Sequence, residues 1–190
     1  MFRLGLFGLA TVVLLAWGGA VPAQQPEPPP LELGGPFALI DHEGRAVTDR
    51  DFRGRFLLLF FGYANCSSVC PIGLRHMTQA LDLLGETGAA VAPVLITVDP
   101  ERDTPANLAP ALAKIHPRLI GLTGSADQLA AARRAYQVGA TATGRDLQGG
   151  ALFEHGTFIY LLGPDGGFLT LFPPIMPPAA LAEAIARYLP

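Results

Sequence analysis

The chain has 190 residues, half of them hydrophobic, which is enough for one domain of ordinary size with extra segments at its ends. Its formal net charge is −3, from 13 basic and 16 acidic residues, and no basic stripe runs through it. This balance argues against a nucleic-acid partner. Only two cysteines are present, which excludes a disulfide-stapled mini-protein and a four-cysteine zinc site. A sparse cysteine pair instead indicates redox or metal chemistry.

Residues 1–23 have the pattern of a secretory signal. A single positive charge at Arg3 precedes an almost entirely apolar run at 4–17, and the small residues around Ala23 predict cleavage after it. The apolar run is shorter than the roughly 20 residues that span a bilayer. If the run is taken to continue through Val21, its length comes closer to that of a membrane-spanning helix. A retained N-terminal anchor therefore stays open. Cleavage and retention both predict a periplasmic or otherwise extracytoplasmic protein, and a retained segment would also attach the protein to the membrane.

Residues 24–35 read QQPEPPPLELGG, which predicts an extended, proline-rich linker. The folded domain is therefore expected over residues 36–190, and we expect it to be monomeric. No internal repeat and no second domain is indicated.

The predicted elements of this domain alternate between strands and helices. A hairpin comes first, where two short strand patterns flank the turn at 41–44. The elements after it are, in chain order, a buried strand at 56–61, a helix at 70–84, a strand at 91–98, a helix from 104, a strand at 118–122, a helix at 125–136, strands at 158–162 and 168–172, and a helix from 177. This order predicts an α/β fold with a central mixed sheet flanked by helices, and the terminal hairpin and helix suit a thioredoxin-like architecture.

Cys66 and Cys70 lie four residues apart at a predicted strand-to-helix junction. The first turn of a helix presents unpaired N–H groups and the positive end of the helix dipole, so we expect the pKa of these thiols to fall. Their spacing lets both sulfurs face one side, where they could close a disulfide or bind one soft metal ion. A structural disulfide and two buried, unpaired thiols are the alternatives, although a disulfide across so short a loop would stabilise little.

Three motifs then occur in a specific order. They are FGYANCSSVCP at 61–71, VDPERDTP at 98–105 and HGTFIYLLGPDG at 155–166. With HPRLIGLTG at 116–124, they make residues 36–190 resemble the Sco/SenC family, the copper chaperones of cytochrome c oxidase assembly. The resemblance implies a thioredoxin-like fold and one copper ion, Cu(I) or Cu(II), bound through Cys66, Cys70 and His155.

The same resemblance implies a function and a partner. Members of the family are implicated in supplying copper to the binuclear centre of cytochrome c oxidase, in reducing that centre's cysteines, or in both. The partner implied here is therefore the copper-receiving subunit of the oxidase, or another copper chaperone. In that role Cys66 and Cys70 would also act as the redox pair.

The chain departs from the usual family pattern beside the implied ligands. Members commonly have Thr-His before the first cysteine and Pro-Asp between the two, where this chain has Ala64-Asn65 and Ser67-Ser68. Glu154 replaces the usual aspartate before the histidine. The ligands themselves are retained, so we expect the altered residues to affect partner identity and redox potential.

Two thiolates and an imidazole suit copper. Thiolates are soft donors that select Cu(I), and imidazole suits both oxidation states. Three protein ligands would leave an opening through which a recipient could take the ion, whereas structural zinc prefers four closed ligands. The same thiolates can exchange with a disulfide, so metal delivery and thiol reduction share one chemistry.

Other classes of function stay open from the residues alone: an extracytoplasmic thiol–disulfide oxidoreductase, a peroxidase, and a redox or copper sensor. The absence of a proline before Thr157 argues against the first, because thioredoxin-like proteins commonly place one there, facing the active-site cysteine. The remaining histidines, His42, His76 and His116, are expected to be solvated or locally hydrogen-bonded.

The charged run from Asp99 to Asp103 follows a predicted strand. We expect a salt-bridged turn in which Asp103 or Thr104 caps the next helix. The alternative is a structured loop near the site, since ligands often lie beyond strand ends in such folds.

Overall fold

The structure is a computed structural model that describes residues 33–66 and 69–190. The predicted signal or anchor segment and most of the predicted linker lie outside the described residues. Leu33 already packs against the core, and the Gly34 N–H donates to the Ala135 carbonyl oxygen at 3.0 Å. In the described ranges, no helix is both long enough and apolar enough to cross a membrane.

The described part of the chain contains four α-helices and nine strands. The helices are α1 (Val69–Leu83), α2 (Pro105–Ala113), α3 (Ala126–Ala135) and α4 (Pro178–Ala186). The strands are β1 (Ala38–Asp41), β2 (Ala46–Thr48), β3 (Phe56–Gly62), β4 (Val91–Thr97), β5 (Ile120–Thr123), β6 (Ala140–Arg145), β7 (Ala151–His155), β8 (Ile159–Leu162) and β9 (Phe168–Phe172). Short 3-10 helices lie at Asp49–Phe52 and Thr87–Ala90.

Seven of these strands form one mixed sheet in the order β2-β1-β5-β4-β3-β8-β9. Strand β4 pairs in parallel with both β3 and β5, and the remaining pairs are antiparallel. The sequences of β3 (FLLLFFG) and β4 (VAPVLIT) are almost continuously apolar and buried along their whole length, as central strands covered on both faces must be. The sheet and its flanking helices confirm the predicted thioredoxin-like fold, including its N-terminal hairpin.

Helix α1 is held on the sheet by an apolar stripe of residues spaced three and four apart. Leu74, Met77 and Leu81 are at most 1% exposed, and each burial contributes about 2 kcal/mol before entropy costs are counted. The helix ends just before Gly85, whose φ of +57° is the left-handed conformation that glycine adopts most easily. This packing fixes the first turn of α1, with Cys70, beside the end of β3.

The predictions contain no element between Tyr136 and Phe158, where the structure has an antiparallel hairpin of β6 and β7. Thr141 pairs with Glu154, and a bulge interrupts the register near Gly144. The strands form a separate two-stranded sheet, and β6 is largely exposed. Its sequence, ATATGR, therefore lacks the alternation of buried and exposed residues by which strands are recognised. The hairpin matters for function because His155 is the last residue of β7.

Candidate metal centre

The loop carrying the first cysteine begins where β3 ends. The Cys66 N–H donates to the Tyr63 carbonyl oxygen at 3.2 Å, which closes a turn over residues 63–66. Cys70 follows in the first turn of α1. Neither cysteine is in a disulfide, and both are buried. The structure therefore places the predicted pair at a strand-to-helix junction and does not join it as a disulfide.

Gly62 lets β3 approach Cys70 closely. A Cβ atom at this position would lie 3.2 Å from Cys70 Sγ and 2.8 Å from a ring carbon of Phe60. The Gly62 carbonyl oxygen also accepts from the Val98 N–H at 2.8 Å, so the backbone cannot easily move away. Glycine is required here by close packing around the thiol.

His155 reaches the pair from the other side of the site. Its Nε2 atom lies 3.6 Å from Cys70 Sγ, and its Nδ1 atom lies 2.9 Å from the Gly156 carbonyl oxygen. Because a carbonyl oxygen can only accept, Nδ1 must carry the hydrogen. In the neutral ring, Nε2 then presents its lone pair to the thiol. Metal-binding histidines commonly have this arrangement, with the second nitrogen donating to a backbone carbonyl.

Two aromatic rings hold the imidazole in place. Phe60 packs edge-to-face against His155 with ring centroids 6.4 Å apart, and Tyr63 does so at 6.1 Å. Tyr63 also packs on Phe153 of β7 at 5.6 Å. Burial raises the pKa of Tyr63, and the neighbouring Cys66 sulfur, which forms a hydrogen bond with the tyrosine, raises it further. The Tyr63 hydroxyl is therefore a stable donor at the edge of the site.

The expected fall in thiol pKa is wrong for Cys70. A hydrogen bond with Cys66 raises the pKa of the Cys70 thiol, and burial raises it further. The backbone hydrogen bonds of Tyr63 and Cys70 lower it, but the hydrogen bond with Cys66 and the burial of the sulfur outweigh them. The raised pKa disfavours the thiolate of Cys70, and a cation that binds this sulfur would have to displace its proton.

The three predicted ligands come together only in part. Cys70 contacts both Cys66 and His155. Within residues 33–66 and 69–190, however, no three His, Cys, Asp or Glu side chains already surround a common metal position. Two sulfurs and one nitrogen match the preference of a soft cation such as Cu(I) in donor type. A cation would therefore have to draw the three side chains closer together. Ser67 and Ser68, which separate the cysteines, lie outside the described residues.

The charged loop after β4 braces the cysteine loop. Asp103 Oδ2 accepts from the Ala64 N–H at 2.9 Å and from Thr97 Oγ1 at 2.7 Å. Thr104 occupies the N-cap position of α2, but its hydroxyl makes no capping hydrogen bond. The expected side-chain cap is therefore wrong, because Asp103 points to the cysteine loop instead. The expected salt-bridged turn is present, since Arg102 pairs with Asp99 and the Asp103 N–H donates to the Asp99 carbonyl oxygen at 3.0 Å. Because Asp103 also accepts from the Ala64 N–H, the same turn is a structured loop beside the site, which was the alternative.

Asp103 gives the protein a predicted pH dependence. Burial raises the pKa of this carboxyl more than its two hydrogen bonds lower it, and Oδ1 is buried with no hydrogen-bond partner among the described residues. A raised folded-state pKa means that ionisation costs stability as pH rises from about 4, the usual aspartate value, through the folded-state pKa. We therefore expect Asp103→Asn to become more stable relative to the wild type over that range.

Urea unfolding at a series of pH values measures this difference. A constant difference between Asp103→Asn and the wild type across the range would contradict the prediction.

The other histidines have separate structural roles. His42 Nδ1 accepts from the Gly121 N–H at 3.2 Å, and His116 contacts Asp82 at 3.2 Å. Hydrogen bonding was expected for both. His76 differs, because its Nδ1 atom is buried without a hydrogen-bond partner in the described part of the chain.

Three residues around the site were not singled out from the sequence: Phe60, Tyr63 and Arg102. Tyr63 and Arg102 lie inside motifs that carry the family resemblance, so a signal was present for them. Phe60 lies in a uniformly apolar strand, where nothing distinguishes it from its neighbours. Arg102 belongs to the site because its guanidinium carbon lies 5.6 Å from the centroid of the Tyr63 ring.

A thioredoxin-like domain with a buried dithiol beside an imidazole defines a class of proteins that handle thiols or soft metals. The SCO1/SenC family profile matches residues 25–190. The chain is 39% identical over 165 residues to Protein SenC of Rhodobacter capsulatus, which covers 83% of this chain and 71% of that protein. The chain belongs to the SCO1/SenC family.

Other relatives agree with this assignment. The mitochondrial SCO2 homolog of Bos taurus is 40% identical over 157 residues, which is 82% of this chain and 59% of that protein. The chain thus spans about three-fifths of the length of several curated relatives. The structure of Bradyrhizobium japonicum ScoI with copper bound is similar with a TM-score of 0.76 and 38% identity, covering 83% of this chain and 99% of that one.

Proposed function

We propose that this protein is a copper chaperone that binds one copper ion through Cys66, Cys70 and His155 and delivers it to the binuclear copper centre of cytochrome c oxidase. The observation that carries the proposal is the 3.6 Å contact between His155 Nε2 and Cys70 Sγ, with Nδ1 turned to a backbone carbonyl. Copper in the similar ScoI structure supports the choice of metal.

Loading would exchange protons for the ion. The Cys70 thiol would release its proton as the sulfur becomes a ligand, Cys66 would bind as a thiolate, and His155 would contribute the lone pair that already faces Cys70. Unloading would proceed by ligand exchange, since a three-coordinate ion leaves room for a thiolate of the recipient to attack. Because only three residues separate the cysteines, both sulfurs could stay near the ion while the recipient's ligand replaces them.

A second function uses the same thiols. Cys66 and Cys70 are not joined as a disulfide and are hydrogen-bonded to each other, which supports a role in disulfide exchange. One thiolate would attack a disulfide of the recipient and form a mixed disulfide, and the second would displace the reduced recipient. The products would be a Cys66–Cys70 disulfide and two recipient thiols, with two electrons transferred. We propose reduction of the recipient's cysteines as an accompanying activity.

The proposal also places the domain outside the cytoplasm. Residues 1–23 would direct export as a signal peptide or remain as an anchor, and residues 24–35 would link that segment to a monomeric domain. The mass of the mature protein purified from its host distinguishes the two states, because cleavage after Ala23 leaves a new N-terminus at residue 24.

Transfer to the isolated copper-binding domain of the oxidase subunit tests the proposal. The copper-loaded protein is mixed with the recipient in its reduced form, and copper is measured on both after separation. We expect near-stoichiometric transfer, and no transfer would contradict the chaperone function. In a parallel arm the metal-free protein is mixed with the oxidised recipient. Reduction there, unchanged in His155→Ala, would support the thiol activity, because the imidazole is not needed for exchange.

A further inference from the structure

Arg102 connects the hairpin of β6 and β7 to the central sheet. Its Nη1 atom donates to Asp146 Oδ2 at 2.7 Å, and its Nη2 atom donates to the Ala151 carbonyl oxygen. Its Nε atom donates to Asp99, which follows β4. One planar guanidinium therefore bonds to the turn of the hairpin, to the start of β7 and to the loop beyond the sheet. Only a forked donor can make all these contacts at once.

The face of the same guanidinium lies over Tyr63, at 5.6 Å from the ring centroid. The tyrosine is 4% exposed, its ring packs against His155 at 6.1 Å, and it forms a hydrogen bond with Cys66. A cation over a partly desolvated aromatic face is attracted to the electron-rich ring. Arg102 therefore stacks on a ring that contacts two of the predicted ligands, His155 and Cys66.

Besides Arg102, the hairpin is attached through Ala140 and Phe153, which pack against the core. Among the described residues, strands β6 and β7 pair only with each other, and every residue of β6 after Ala140 is exposed. The hairpin turn is organised by Asp146, whose Oδ1 accepts from the N–H groups of Gln148 and Gly150. The other carboxylate oxygen of Asp146 is the one that holds Arg102. The Asp146 side chain therefore both organises the hairpin turn and binds the arginine that ties the hairpin to the sheet.

We propose that Arg102 is a positioning residue for the metal site: by stacking on Tyr63 and pairing with Asp146, it holds the hairpin so that His155 meets the cysteine pair. This inference rests on the proposed function only for the identity of the ion. The tethering itself concerns the metal-free protein, so it can be tested separately.

A double-mutant cycle in copper affinity is the first test. We expect Arg102→Ala to weaken copper binding about 10- to 100-fold, as loss of a residue that orients a ligand does. If Arg102 acts through His155, the same substitution in a His155→Ala background should weaken binding by less than about threefold. Losses that simply multiply would overturn the proposal.

Amide hydrogen exchange of the metal-free protein is the second test. Arg102→Ala should accelerate exchange across Ala140–His155 about tenfold and leave the pairing of β3 with β4 unchanged. Unchanged exchange in the hairpin would overturn the proposal that Arg102 holds the hairpin in place, whatever the copper measurements show. Failure of the wild type to bind copper would overturn the proposed function and leave this measurement to decide on the tether.

Two further variants guard against a folding defect. Arg102→Lys keeps the charge but loses the fork, so we expect it to resemble Arg102→Ala in both tests. Asp146→Asn removes the charged partner from the hairpin side and should give a smaller loss of the same kind. Arg145→Ala is the matched control, since this arginine lies on the same hairpin and, among the described residues, bonds only to the Gly149 carbonyl oxygen. It should leave copper affinity at the wild-type value.

Discussion

Replacing Cys70 with serine should abolish tight copper binding while the protein remains folded. Serine is close to cysteine in size and can still donate to the lone pair of His155, but its hydroxyl is a poor ligand for a soft ion. Closed four-ligand metal sites in small domains bind with about 10–16 kcal/mol, or about 2.5–4 kcal/mol per ligand. The expected loss of affinity is therefore about 60- to 700-fold.

Competition with a Cu(I) chelator measures this loss. Cys66→Ser should show a similar loss, because the proposed site uses both sulfurs. Urea unfolding of each metal-free variant gives the control, and we expect less than about 2 kcal/mol of destabilisation from a change of this size. Stoichiometric copper binding by Cys70→Ser at wild-type affinity would contradict the proposed ligand set.

Replacing Phe60 with alanine should damage both the fold and the site. The ring is fully buried in β3 and packs against His155, while Gly62 and Gly73 lie directly beside it. Removing a buried phenylalanine costs about 3–5 kcal/mol, a large share of the about 5–15 kcal/mol that stabilises a typical domain. The cavity would also let the imidazole leave its position beside Cys70, so copper affinity should fall as well.

Phe61 provides a matched control for this substitution. It is the next residue of β3 and equally buried, but it points to the other face of the sheet, where it packs on Tyr136 and Tyr160. We expect Phe61→Ala to lower the free energy of unfolding by a similar amount and to leave the copper affinity of the folded fraction nearly unchanged. Equal effects of the two substitutions on copper affinity would show that Phe60 acts only through global stability.

The regular part of the fold was predictable because its signals are local. The apolar run of β3, the stripe of α1 and the capping box at Ser125 each determine structure within one element, and both hydrogen bonds of that capping box are present. The hairpin of β6 and β7 was not predictable in this way. Its short, exposed strands of alanine and threonine carry no burial pattern, and its tether to Arg102 joins residues 44 positions apart.

The site was predictable in composition but not in arrangement. The cysteine spacing indicated a pair from the residues alone, and the family resemblance added His155. The contact that brings His155 to Cys70 crosses 85 positions, which no local pattern reports. The pKa of Cys70 was mispredicted for the same reason. The helix N-terminus is visible in the sequence, whereas the hydrogen bond with Cys66 and the burial that raise the pKa depend on how the loop, β3 and α1 pack.

X-ray absorption at the copper edge, on the reduced protein loaded with one equivalent of Cu(I), tests the central claim most directly. The proposed site predicts two sulfur ligands and one nitrogen ligand, with the nitrogen lost in His155→Ala and both sulfurs kept. A copper environment that is identical in the wild type and His155→Ala, or one without sulfur, would contradict the proposal that Cys66, Cys70 and His155 form the site.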